Sequence, residues 1–263
     1  MKRIGAVLAL AVAATLVTVA PAQAAPVSPV KALKKQLSPG HGVRISETSH
    51  TSSGKSKVTA VTTGVLEFGK SRVIASELKT RYKGAAGAGF SPARTISVGG
   101  YTYARGGVFS ESLPEGKKWT RYTGAPITSS NQLIDIFDAK VLKVVLAKAK
   151  VVKGDYQGVI TAKELLKLHG QKVSGEVGRI KIKYVLDTDA KGLVSRVTTG
   201  YTVNFGVLGS VKSLIETRFT GWGARIKVKA PPKSQWIDVK DLGEDTEVPK
   251  DIPDNSINSL GRH

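Results

Sequence analysis

Two segments of the chain alternate between cationic and apolar residues, and this pattern constrains the fold more than any other feature. The first reads Arg-Ile-Lys-Ile-Lys-Tyr-Val-Leu over residues 179–186, and the second reads Arg-Ile-Lys-Val-Lys-Ala over residues 225–230. Because successive side chains of a strand point to opposite sides, each segment predicts a strand with one apolar and one basic face. Antiparallel sheets that are buried on one face and solvated on the other have this pattern.

Strand-like patterns also occupy much of the remaining chain. They run through most of residues 42–122 and return in residues 193–205, 213–220 and 224–230, the last two around a Gly-Trp-Gly sequence. Gly99-Gly100 separates two short extended segments, which is typical of a two-residue hairpin. The sequence therefore predicts a sheet in which antiparallel neighbours follow one another along the chain.

Three segments have helical signals. Residues 30–37 predict a short amphipathic helix. Capping-box spacings at 129–132 and 161–164 predict one helix over residues 131–150 and another that ends at Gly170. The latter two are apolar on one stripe only, so each is expected to pack on the apolar face of the sheet.

The N-terminus has the features of an export signal. Lys2 and Arg3 precede an apolar run over residues 4–20, and Ala22-Gln23-Ala24 predicts cleavage after Ala24. The alternative is a membrane anchor, but the apolar run is at the lower limit of a span. We therefore expect a signal peptide at 1–24, a folded domain at 25–242 and a disordered acidic tail at 243–263, in a secreted or cell-envelope protein.

Charge and cysteine content restrict the partners. The formal net charge is +20, which favours anionic polymers or membrane surfaces, although a high isoelectric point without such a partner is an equal alternative. Nucleic acid is not expected as a partner of an exported protein. The absence of cysteine excludes disulfides, thiolate metal sites and a lipid anchor on the chain's own cysteine.

The sequence contains no convincing catalytic or metal-binding pattern. Residues 52–55 match Ser-x-x-Lys, but they lie in a polar loop without companion motifs. Asp187 and Asp189 are similar to the start of a calcium loop, yet a hairpin turn is the stronger interpretation because the downstream Glu is absent. No catalytic residue, metal or cofactor is predicted. None of the four histidines has metal-ligand spacing with a partner: His41, His50, His169 and His263.

Three stretches resemble a known family when taken in order. They are Tyr-Gln-Gly-Val-Ile over 156–160 before a helix, Tyr-Val-Leu-Asp with Gly-Leu-Val-Ser-Arg over 184–196, and Arg-Phe-Thr-Gly-Trp-Gly with Ile-Lys-Val-Lys-Ala-Pro-Pro over 218–232. Together with the order of elements, they resemble the LolA/LolB superfamily, in particular the actinobacterial LppX/LprG-type lipoproteins, over residues 30–240.

The resemblance implies an α+β fold, in which helices cover the concave face of a strongly curved antiparallel sheet, a half-barrel. It also implies a lipid or acylated ligand between sheet and helices. The chain departs from the anchored members because it lacks their N-terminal cysteine. A protein that is not tethered through its own cysteine is therefore expected.

The first functional hypothesis is a non-enzymatic carrier or sensor of a lipid, glycolipid or acylated ligand. It follows from one-sided apolar strands without a catalytic constellation, since ligand pockets are mostly apolar with few polar groups. The residues expected to line the binding hollow are Ile180, Ile182, Tyr184, Tyr201, Val203, Phe205, Ile226, Val228, Leu133, Ile134 and Phe137.

The second hypothesis is a structural or interaction protein of the cell envelope, in which the same hollow is a closed core. Its basic sheet face would bind anionic cell-wall polymers or lipid head groups. An enzyme is a third and weaker alternative. The residues expected to contact an anionic surface are Arg179, Lys181, Lys183, Arg225, Lys227 and Lys229.

Overall fold

A computed structural model describes residues 27–84, 91–124, 130–171, 175–243 and 246–252 of the chain. The predicted signal peptide lies outside these residues. Within them, the strands are β1 (His41–Ser53), β2 (Ser56–Phe68), β3 (Val73–Lys83), β4 (Arg94–Val98), β5 (Tyr101–Arg105), β6 (Trp119–Thr123), β7 (Lys150–Val152), β8 (Asp155–Thr161), β9 (Lys181–Thr188), β10 (Val194–Asn204), β11 (Ser210–Arg225) and β12 (Trp236–Asp238).

These strands form one open sheet in the order β12-β6-β5-β4-β3-β2-β1-β11-β10-β9-β8-β7. Neighbouring strands are antiparallel except β12 and β6, which are parallel. The predicted hairpin at Gly99-Gly100 joins β4 to β5, and both glycines have the positive φ that a two-residue hairpin turn requires. The predicted α+β class with a curved antiparallel sheet is confirmed.

The helices of the described residues are α1 (Pro29–Gln36), α2 (Ala139–Lys148), α3 (Ala162–Leu168) and α4 (Gly175–Arg179). α1 lies where residues 30–37 predicted a helix. α3 begins at the predicted capping box, in which the Glu164 amide donates to Thr161 Oγ1 at 3.2 Å and the Thr161 amide donates to Glu164 Oε2 at 2.9 Å. The predicted helix over 131–150 is wrong in its first part, because α2 begins only after the N-cap Asp138.

A buried carboxylate explains why the segment before α2 is not helical. Glu47 is 0% exposed and accepts hydrogen bonds from the Asn131 amide at 2.9 Å, from Thr217 Oγ1 at 2.9 Å and from Ser130 Oγ. Gln132 Nε2 donates to Thr217 Oγ1 at 3.1 Å, whereas Ser129, the first residue of the predicted capping box, lies outside the described residues. Tertiary hydrogen bonds to the sheet therefore hold residues 130–132 in a non-helical conformation.

The largest buried cluster joins α1, α2 and α3 to one face of the sheet, which we call the inner face. Strands β4, β5 and β6 are not part of this cluster; Ala104, Tyr122 and the nearby Phe109 form a separate small one. The predicted packing of helices on the apolar face is therefore seen on one part of the sheet. The inner-face residues of the large cluster include Val43, Ile45, Leu66, Leu78, Ile160, Ile182, Tyr184, Leu186, Val197 and Phe219.

Residues 226–230 differ from the prediction. β11 continues through the Gly-Trp-Gly sequence to Arg225, and the chain then leaves the sheet. Ile226 packs on the other side, the outer face, where it lies against Gly42; a Cβ on Gly42 would come within 3.0 Å of Ile226 Cδ1. The Val228 amide donates to Glu67 Oε2 at 2.7 Å. The alternation of burial is correct, but it arises from packing onto a sheet and not from pairing within it.

Part of the predicted disordered tail is packed against the domain. Val248 is 3% exposed, and Tyr122 Oη donates to the Pro249 carbonyl at 2.7 Å. Ile252 packs against the small cluster around Phe109. The prediction of disorder is therefore wrong for residues 246–252, and residues 253–263 lie outside the described residues.

Candidate functional site

An opening in the sheet lies where β9 and β10 separate. Their ladder ends at the pair Lys183–Gly200. Beyond it β9 remains paired with β8, and β10 remains paired with β11 as far as Asn204. The opening has a volume of about 680 Å³, and we call it the slot. It is lined by Glu176, Val177, Arg179, Ile180, Lys181, Lys183, Gly200, Tyr201, Thr202, Val203, Asn204, Phe205, Lys212 and Ser213.

The slot is apolar on one side and basic on the other. Tyr201 and Val203 are half-buried and pack against the large inner cluster, to which Ile180 also belongs. Lys181 and Lys183 have the opposite parity on β9 and are exposed. Because the strands separate here, the slot gives access to both faces of the sheet. A single ligand could therefore contact an apolar wall and several ammonium groups.

The cations at the slot differ in their partners. Arg179 Nη1 lies 2.8 Å from Glu176 Oε1 in an exposed ion pair. Lys181, Lys183 and Lys212 have no carboxylate within ion-pair distance among the described residues. The ammonium group is a compact point charge that binds phosphate and carboxylate well. Three lysines are thus available to an anionic group at the outer side of the slot.

Four predicted lining residues reach the slot, namely Ile180, Tyr201, Val203 and Phe205. Their role in ligand binding stays a prediction. The others lie elsewhere, which corrects the idea of one continuous lining. Ile226 and Val228 lie in a cluster on the outer face. The remaining five belong to the large buried cluster and do not line the slot: Leu133, Ile134, Phe137, Ile182 and Tyr184.

Tyr184 has a structural role in that cluster. Its Oη donates to the Val145 carbonyl at 2.7 Å and so connects β9 to α2. Burial raises the pKa of Tyr184, with a smaller contribution from Glu164. Gly158 on β8 makes room for the ring, because a Cβ there would lie 2.2 Å from Tyr184 Oη. This part of the hollow is consequently filled by the protein itself.

Phe137 is also enclosed. Its ring centroid lies 5.8 Å from that of Phe68, 5.6 Å from that of Phe219 and 5.7 Å from that of Trp222. Such separations are those of favourable aromatic pairs. The segment before α2 therefore closes this end of the inner face with an aromatic cluster.

The predicted basic residues do not form one surface. All six are exposed, as their parity predicted. However, β9 and β11 are both antiparallel to β10, so they run in the same direction. Lys181 begins β9, whereas Arg225 ends β11, and the two groups consequently lie at opposite ends of the strands. The order of the strands thus separates two groups of basic residues that have the same sequence pattern.

Sequence reasoning missed two features. Lys212 and the α4 residues Glu176 and Val177 line the slot, and only the alternation at the start of β11 could have suggested Lys212. The buried Glu47 and its partners carried no local signal, because the partners are more than 80 positions away in sequence. A Glu within a Ser/Thr-rich strand is ordinarily a solvated residue.

The acidic turn between β9 and β10 has a structural explanation. Asp189 Oδ1 accepts from the amides of Lys191 and Leu193, each at 2.9 Å, and Asp187 pairs with Arg196. Among the residues that the structure describes, no three His, Asp or Glu side chains group as metal ligands. In that same part of the chain, no helix has the length and hydropathy needed to span a membrane.

No protein-family model and no curated protein sequence matches the chain. Among solved structures, it is similar to LprF from Mycobacterium bovis, with 13% identity, a TM-score of 0.32 and coverage of 78% of this chain and 99% of that one. It is also similar to a LolA superfamily protein from Nitrosomonas europaea, with 9% identity, a TM-score of 0.31 and coverage of 75% and 92%. A DUF1329 family protein from Desulfovibrio piger has 11% identity and a TM-score of 0.28, with coverage of 77% and 95%.

The first two bear names from the group that the sequence resembles. The functional evidence, in contrast, is the geometry of this chain's own residues.

Proposed function

We propose that the protein is an extracytoplasmic, non-enzymatic carrier or sensor of an amphipathic ligand, such as a lipid, glycolipid or acylated molecule with an anionic head. The slot carries this proposal, because it joins an apolar wall at Tyr201 and Val203 to the exposed ammonium groups of Lys181 and Lys183. Its volume of about 680 Å³ is in the range of small-molecule sites.

Magnitudes assign different roles to the two sides of the slot. Burial of an alkyl chain contributes about 0.8 kcal/mol per methylene, so a few methylenes supply most of the affinity. An exposed ion pair contributes only about 0–1 kcal/mol. Lys181, Lys183 and Lys212 therefore select the sign of the head group, while Ile180 and Val203 supply the affinity for the chain.

The alternative of an envelope protein that binds only through a basic sheet face has less support. That hypothesis requires Lys181 and Lys227 to share a surface, and they lie at opposite ends of the strands. The closed cluster around Ile182 and Phe137 agrees with the filled core that this alternative expects. The slot beside that cluster nevertheless has an accessible apolar wall, which favours a bound ligand over a fully closed core.

Lipid uptake with matched variants tests the proposal. We expect the purified protein to take up a fluorescent phosphatidylglycerol delivered from detergent, and native mass spectrometry to show lipid on protein isolated from its own host. Val203→Asp places a carboxylate in the slot and should abolish uptake. Val151→Asp is the control, because Val151 is 66% exposed on β7 and does not line the slot. Protein that stays free of lipid in both assays, or equal effects of the two variants, would overturn the proposal.

A second comparison tests the head-group assignment. Replacement of Lys181, Lys183 and Lys212 with Gln should remove the preference for phosphatidylglycerol over phosphatidylcholine and leave uptake of the neutral lipid nearly unchanged. Lys227→Gln together with Lys229→Gln removes charge at the far end of the strands and should leave the preference intact. An unchanged preference in the slot variant would show that these lysines do not recognise the head group.

A further inference from the structure

Two hairpin turns lie side by side at the end of the sheet where the slot opens. One joins β1 to β2 and the other joins β10 to β11, and they are neighbours because Ser53 pairs with Val211. The beginning of β9 and the end of β3 lie at the same end of the sheet. We call this region the slot end.

The β10–β11 turn exposes apolar side chains. Val207 is 104% exposed and Phe205 is 49% exposed. The Phe205 amide donates to the Gly209 carbonyl at 2.8 Å, and the Gly206 amide donates to Asn204 Oδ1 at 3.0 Å. Gly206 and Gly209 both have positive φ, which other residues adopt with strain. The turn is thus a well-bonded structure that holds two apolar side chains in solvent.

The charge around this turn is predominantly positive. The sequence has a single acidic residue, Glu176, within residues 52–59, 81–84, 176–183 and 200–213, and it pairs with Arg179. The exposed cations there include Lys55, Lys57, Lys83, Lys181, Lys183 and Lys212. An exposed apolar tip surrounded by cations is complementary to the interface of an anionic bilayer, which offers both acyl chains and negative head groups.

We propose that the slot end docks on anionic lipid bilayers, with Val207 and Phe205 entering the interface and the surrounding lysines contacting the head groups. The proposal rests on the carrier function in one respect, since docking would bring the mouth of the slot to the surface that holds its ligand. A soluble anionic polymer explains the lysines but not the exposed Val207. Binding to such a polymer alone is therefore an outcome that contradicts the proposal.

Val207 allows docking to be separated from uptake, because it does not line the slot. Co-sedimentation with vesicles of phosphatidylglycerol and phosphatidylcholine should show wild-type binding that is absent with pure phosphatidylcholine. Val207→Asp should reduce the partition coefficient at least about fivefold, because it removes an apolar contact and adds a repelled charge. Val151→Asp, at another exposed apolar residue, should leave binding unchanged.

Insertion can be observed directly, because the chain has no cysteine to label by accident. An environment-sensitive fluorophore on Val207→Cys should brighten on the anionic vesicles and be quenched by a quencher in the acyl chains. The same fluorophore on Val151→Cys should respond to neither. No response at position 207, or an equal response at both positions, would contradict the proposal.

The contribution of the lysines to vesicle binding can be tested by removing two charges from either end of the sheet. Lys55→Gln with Lys57→Gln should weaken vesicle binding by about fivefold per charge, since each basic residue near such a surface contributes about 1 kcal/mol. Lys227→Gln with Lys229→Gln removes the same charge from the opposite end and should have no effect. Equal losses in the two variants would mean that net charge, and not the slot end, determines binding.

The two proposals fail in different assays. If Val207→Asp loses vesicle binding and still takes up lipid from detergent, docking and carriage are both supported as separate properties. If wild-type protein takes up lipid but does not bind the vesicles, the docking proposal is wrong and the carrier proposal stands. If it binds vesicles through Val207 without taking up lipid, docking stands and the carrier function is wrong.

Discussion

The alternating segment 180–186 keeps one sequence pattern from end to end, but its two ends have different surroundings. At Tyr184, the strand is paired with β10 and covered by α2, and the side chain is 2% exposed. At the other end, β9 has separated from β10, and Ile180, just before β9, and Val203, on β10, line the slot. The apolar parity is the same in both places. Alternation thus determines which face a side chain occupies, but the end of the ladder does not by itself open that face, because Ile182 lies beyond the last β9–β10 pair and is 0% exposed.

The neighbouring helices explain the rest of the difference. α2 spans Ala139–Lys148 and places Val141, Leu142 and Val145 in the large cluster. α4 spans only Gly175–Arg179, and Val177 contributes a half-buried side chain at the edge of the slot. A longer helix covers more of the sheet, so the closed region lies under α2 and the open one lies beside α4.

The strongest test of this difference is to place the same charge in the closed cluster and in the slot. Ile182→Asp buries a carboxylate at a 0% exposed position and should destabilise the protein by more than about 4 kcal/mol or unfold it. Val203→Asp should cost under about 1.5 kcal/mol, because water reaches the slot. Urea denaturation followed by circular dichroism measures both. Similar losses would show that the two regions are equally closed.

The hydrogen bonds of Glu47 should have the next largest effect. Glu47→Gln replaces an acceptor oxygen by a donor that faces the Asn131 amide or Thr217 Oγ1, so the variant should lose about 2–3 kcal/mol. The loss should appear in the midpoint of urea unfolding. Thr48→Ala on the opposite parity of β1 serves as a control, and an equal loss there would show that the network is not specific.

Two tyrosines on adjacent strands allow the closed cluster and the slot to be compared by removal of one hydroxyl group. Tyr184→Phe removes the hydrogen bond to the Val145 carbonyl and should lower the free energy of unfolding by about 1–2 kcal/mol, because the buried carbonyl loses this donor. Tyr201→Phe, in the half-buried wall of the slot, should change the free energy of unfolding by less than about 0.5 kcal/mol. If Tyr201→Phe costs as much as Tyr184→Phe, the slot is not accessible to water.

The smallest effect concerns acid stability where α2 and α3 meet. The hydrogen bond from Lys148 and those from Thr161 lower the pKa of Glu164 to about 2 from its ordinary 4.5. The ionised form is favoured in the folded state, so its contribution is complete above pH 4.5 and is lost as pH falls toward about 2. This exposed pair should contribute under about 1 kcal/mol.

Glu164→Gln should therefore make the free energy of unfolding less dependent on pH between about 4.5 and 2. Chemical denaturation at a series of pH values measures this slope. Glu176→Gln, at an exposed pair on α4, is the matched control and should leave the slope nearly unchanged. A Glu164→Gln variant with the wild-type slope would contradict the assigned pKa shift.

Local chemistry determined much of this fold directly from the sequence. The parity of Lys181, Ile182 and Lys183 determined their exposure, because the alternation of side chains is a property of any extended backbone. The capping box at Thr161 and the hairpin at Gly99-Gly100 likewise depend on residues that are adjacent in sequence. These interactions leave a readable signal because all their partners lie within a few positions.

Tertiary structure alone decided where the site lies. The separation of β9 from β10, the use of Glu47 to hold the segment before α2, and the packing of Ile226 on the outer face all involve partners that are distant in sequence. The same alternation at 179–186 and 225–230 became a paired strand in one case and a packed segment in the other. Alternation specifies which side chains share a face, but strand order and helix length determine what that face meets.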